Sequence, residues 1–163
     1  MEINKNSSRE DVLAAVKLNG SVLEHASDKL KADREVVLTA VKSSDYALRF
    51  ASDELKNDRE VVLEAINSDA HGLEFASDEL KADREIALKV IKSFSGVGYS
   101  YSIPLRSENL RNDRELVLEA ILKSYGEALE YASNELKADR EIVLTAVKLH
   151  GRALEFASDE LRA

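Results

Sequence analysis

Six arginines stand at one register along this 163-residue chain: Arg9, Arg34, Arg59, Arg84, Arg114 and Arg140. Each is followed at once by a glutamate, and each is preceded by aspartate, or in the first case by Ser8. A row of guanidinium groups could form an anion-binding track. A carboxylate directly beside every cation instead favours pairing along and between helix starts, each pair contributing about a few tenths to 1 kcal/mol. The acidic doublets Asp53-Glu54, Asp78-Glu79 and Asp159-Glu160 could suggest metal binding or paired-carboxylate catalysis. Neighbours in sequence point apart on a helix, however, so a solvated ridge is the expectation. The recurring serine, from Ser27 to Ser158, reads as a cap or turn residue rather than a set of nucleophiles. His25, His71 and His150 occupy different registers and build no metal-ligand spacing. The Gly-x-Gly in "SGVGYS" lacks the Lys-Ser/Thr of a phosphate loop and has no strand before it. These residues therefore support no catalytic, cofactor or metal site, and the chain is read as not an enzyme.

The elements that position these charges repeat with them. "DRE" at Asp33, Asp58, Asp83, Asp113 and Asp139, with "SRE" at Ser8, gives intervals of 25, 25, 25, 30 and 26 residues. A period in this range marks a stack of units that cannot bury an apolar face alone. The expected units are 8–32, 33–57, 58–82, 83–112, 113–138 and 139–163, within a single repeat domain over 1–163. In the unit from Asp33, the aspartate is placed as an N-cap and Glu35 complements the helix dipole. Val36, Val37, Leu38, Ala40 and Val41 form an apolar face broad enough to be buried on two sides. Gly20, Gly72, Gly126 and Gly151 fall where a left-handed C-cap would stop the first helix. Leu48, Ala51 and Leu55, at i, i+3 and i+7, predict a shorter second helix, with Ser52 a candidate cap for a separate last turn. The predicted fold is all-α: an α-solenoid, wound as a right-handed superhelix, of six two-helix repeats of about 25 residues.

The recurring "FASDELKADRE" followed by "VVLTAVK" resembles the tandem-repeat family of bacterial and protist proteins designated domain of unknown function 4116. The resemblance covers nearly the whole chain and implies an α-helical repeat with no established activity. It brings no catalytic residues. Secretion as an effector is one setting it implies. The fourth unit departs from the pattern, with Ile103, Pro104, Leu105 and Arg106 in place of the usual Ala-Leu-x-Phe-Ala run, which puts a regular second helix there in doubt.

Composition narrows the partners. A formal charge of −8, with 23 basic against 31 acidic residues, disfavours direct nucleic-acid binding, which depends on Lys and Arg displacing counterions. Nothing in the sequence is a membrane span, and a cytoplasmic location is the default expectation. The leading reading is a protein-protein interaction scaffold. The alternative is an acidic decoy or inhibitor that occupies a basic, nucleic-acid-binding site on another protein. Candidate contacts are Phe94, Tyr99, Tyr101 and Pro104 in "SFSGVGYSYSIP", a stretch holding the only proline, Arg106 two residues beyond it, and Tyr46 in a loop column that varies from Ser21 to His71 to Arg152. The first unit carries capping changes: Ser8 for Asp, Asp11 for an apolar residue, His25 for an aromatic. The last carries none, so Ile142, Val143, Leu149, Phe156 and Leu161 predict an exposed apolar face and homodimerisation through the C-terminal repeat.

Overall fold

The computed structural model describes residues 3–93 and 102–163, and among them every regular element is helical. Long α-helices run over Arg9–Leu18, Arg34–Ser43 and Arg59–Ser68, then over Arg84–Ser93, Arg114–Lys123 and Arg140–Leu149. Each spans ten residues, and each starts on the residue after the Asp or Ser of the repeated motif. Asp33 Oδ1 accepts from the Glu35 and Val36 amides, both at 3.1 Å, and Asp58 and Asp139 cap their helices in the same way. Ser8 does so more weakly, through the Asp11 amide at 3.2 Å.

In the copies other than 83–112, the second half differs from the expected helix. In the copy from Asp33 it is a 3-10 segment, Asp45–Phe50, followed by a separate α-turn, Asp53–Lys56. Ala51 and Ser52 between them are extended, with φ near −65° and −62°. The cause lies in the preceding copy, where the Lys31 carbonyl accepts the Ser52 amide at 2.9 Å. The same bond joins Ser77 to Lys56, Ser133 to Arg111 and Ser158 to Lys137. A continuous helix would spend that amide internally. The side chains of three of these serines then cap the last turn, Ser52, Ser77 and Ser133 Oγ accepting from the Leu55, Leu80 and Leu136 amides, whereas Ser158 Oγ makes no such bond.

The chain divides into two compact units, Met1–Leu80 and Lys81–Ala163. In the first, the three long helices pack in sequence order, and the 3-10 segments Gly20–His25, Asp45–Phe50 and Ala70–Phe75 pack on one another behind them. In the second, Arg84–Ser93 packs on Arg114–Lys123, which packs on Arg140–Leu149, while Glu127–Tyr131 meets Gly151–Phe156. Each core is built from the apolar columns of the sequence, with Val36, Val37, Ala40, Val41 and Leu48 fully buried.

Glycine does not stop the helices in the expected way. Among the described glycines only Gly126, at φ 95°, is left-handed, next to Tyr125 at φ 53°. These two residues absorb the one-residue excess of the 26-residue interval, and the Gly126 amide bonds back to the Ile121 carbonyl at 2.8 Å. At Asn19, Ser44, Asp69 and His150 the chain leaves the helix extended, a conformation that needs no glycine.

Candidate interaction surfaces

Each described rung of the arginine row runs forward, from one copy to the next. Arg9 Nε donates to Asp33 Oδ2 at 2.7 Å and its Nη2 to Glu35 Oε2 at 2.5 Å. Arg84 repeats the arrangement on Asp113 and Glu115, at 2.7 and 2.5 Å. Arg34 binds Asp58 at 2.9 Å and also Glu60, and Arg114 lies 3.5 Å from Asp139 and bonds Glu141. One aspartate thus serves twice, capping its own helix through Oδ1 and holding the previous arginine through Oδ2. The guanidinium groups of these rungs are satisfied by structure, which is the bland reading of the charged row.

Charge reinforces this. The Arg9 hydrogen bond, aided by the cap amides against a cost of burial, holds Asp33 below the usual carboxylate range, and Arg34 does the same for Asp58. A depressed folded-state value means that the stabilisation is complete above the unfolded value, about pH 4, and drains away as pH falls through the folded one. Melting temperature should therefore hold steady from neutrality to about pH 5 and fall below about pH 4. Asp33→Asn with Asp58→Asn keeps capping capacity but removes both titrations. Its acid limb should be shallower, and a limb superimposable on the parent's would refute the coupling.

The residues singled out for partner contact separate. Phe94, Tyr99 and Tyr101 lie outside the described residues. Pro104 is buried with Leu105 in the 3-10 turn Pro104–Arg106. Arg106 is exposed and borders an open groove of about 840 Å³ with Glu108, Arg111, Glu130, Glu135 and Lys137. Charges of both signs line it. Tyr46 is 39% exposed, and its ring stands edge-to-face on Phe50 at 5.6 Å and on Phe75 of the next copy at 5.2 Å. The Arg49 guanidinium carbon lies 5.4 Å from the Tyr46 ring centre, and Arg49 donates to the tyrosine hydroxyl. Sequence reasoning missed Arg49, although its i+3 spacing from Tyr46 was a usable signal. Phe75, 29 residues away, offered none.

The copy over 139–163 presents a different surface. Leu154 is 39% exposed, whereas Leu23, Leu48, Leu73 and Leu129 at its register are all at 0%. Leu144 and Leu149 are also exposed.

Recurrent helical copies, joined by backbone bonds and arginine clamps at a repeat spacing, define a tandem α-helical repeat protein. The family model described as Domain of unknown function (DUF4116) matches at residues 8–56, 33–80, 58–103 and 113–162, and the chain belongs to that family. No curated protein and no solved structure matches it. Among the described residues, no helix is long and apolar enough to cross a membrane.

Proposed function

We propose that the chain is a non-enzymatic protein-interaction scaffold, its copies stacking into one α-solenoid of six units that displays side chains from a rigid frame. The Tyr46 platform carries this reading. An exposed tyrosine braced by two aromatic rings and an arginine has little rotamer freedom to lose on binding, and Tyr and Arg are the side chains that dominate interface hot spots. Groups such as Arg9, Asp33 and Ser52 that could have served chemistry support it too, because they already spend polar atoms on the fold. The loop from Phe94 to Arg106 remains a second proposed contact. The acidic-decoy reading has less to draw on, since Asp33, Asp58 and Asp113 are committed to arginines.

Affinity capture from the protein's own cells, comparing the intact protein with Tyr46→Ala and with Arg49→Ala, tests the reading. A specific partner should be depleted roughly tenfold or more by Tyr46→Ala, consistent with a hot spot worth at least about 1.4 kcal/mol. Partner recovery that neither change affects would overturn the platform. Binding that collapses with salt and is displaced by nucleic acid would favour the decoy.

A further inference from the structure

The face that the copy over 139–163 turns away from its predecessor has the chemistry of an interior copy. Arg9, Arg34, Arg84 and Arg114 are each clamped by an aspartate and a glutamate two residues apart on the following copy, while Arg140 is exposed with no carboxylate in ion-pair range among the described residues. Leu154 is open where its counterparts are sealed, and Leu144 is 44% exposed. Gly151 adds an independent observation. At the same place in the repeat, a Cβ on Gly20 would stand 2.1 Å from the Ala40 carbonyl oxygen, and one on Gly126 would stand 2.7 Å from that of Ala146. In both cases glycine admits the backbone of the next long helix. Gly151 is not left-handed, and nothing lies within 4 Å of where its Cβ would be.

We infer that this face, formed by Arg140, Leu144, Gly151 and Leu154, docks a further helical repeat of the Asp-Arg-Glu type. The interior joints specify the partner's chemistry. Its N-capping aspartate and the glutamate two residues on would close on Arg140, and its long helix would pass over Gly151 and cover Leu154 and Leu144. The amide of its serine would reach the Arg162 carbonyl, which holds the register of Lys31, Lys56, Arg111 and Lys137. The first copy of this same chain is a poor occupant. It offers Ser8 in place of the aspartate, with the hydroxyl donating to Asp11 at 2.8 Å, and Ile3 just before it is buried at 7% exposure. The inference goes beyond the scaffold proposal and stands apart from the Tyr46 platform, so either can fail alone.

A second intact copy can serve as the probe once Ser8→Asp and Ile3→Ser give it an interior-type opening, with its fold checked by circular dichroism. Should it not fold, Ser8→Asp alone replaces it. Sedimentation equilibrium of the unmodified protein with this probe should show head-to-tail association. Arg140→Glu on the receiving copy should weaken that association at least tenfold, and Glu10→Lys on the probe should recover part of the loss. Either no association with a folded probe, or association indifferent to Arg140→Glu, would overturn the inference. Association of unmodified copies as strong as with the probe would overturn the assigned role of the incoming aspartate.

Discussion

Leu48→Ala is expected to lower stability by about 3 kcal/mol, and Leu154→Ala, at the same place in the repeat, by less than about 1. The two side chains are chemically identical and sit on the same kind of 3-10 segment. Only their cover differs. Leu48 is fully buried among neighbouring copies, so truncation removes its transfer energy and leaves a cavity that close-packed helices cannot fill. Leu154 is 39% exposed, already wets part of its surface, and would leave a notch open to water. Urea unfolding followed by circular dichroism measures both, with the slopes compared to show that the same structure is lost. Equal destabilisation would mean that Leu154 is covered in solution, and the contrast between interior and outer copies would fall.

Gly20→Ala should cost about 2 to 3 kcal/mol, while Gly151→Ala should be neutral or stabilise by up to about 1. A Cβ at position 20 would sit 2.1 Å from the Ala40 carbonyl oxygen and 2.9 Å from its carbon, and both are backbone atoms of the adjacent helix that cannot rotate aside. Relief requires the first two copies to separate, which also strains the Gly20 amide bond to Ser43 Oγ at 3.2 Å. At Gly151 the space is empty and the backbone is one that alanine tolerates, so the change mainly reduces the freedom of the unfolded chain. A fall in stability at position 151 equal to that at 20 would show that something already packs there. That outcome would connect directly to the docking face.

The caps were legible because they are local. A side chain reaching an amide two or three residues ahead needs no knowledge of the rest of the molecule, so Asp33, Asp58 and Ser52 could be assigned from spacing alone. The buried columns were equally legible, since repetition placed apolar residues at the same register in most copies. Tyr46 was visible as an exposed variable residue, but the aromatic shelf beneath it was not. The burial of Pro104 was not visible either, because it depends on packing that the order of residues does not show.

Read alone, the residues determined the period, the helix starts, the capping partners and the inward-facing columns, all of which follow from interactions within a turn or from periodicity. Tertiary structure decided where each arginine finds its carboxylates, why Ala51 and Ser52 leave the helix, and which glycines make room for a neighbour. Those outcomes depend on groups 20 or more residues apart being brought within about 3 Å by the spacing of packed helices, a distance that the order of residues does not encode by itself.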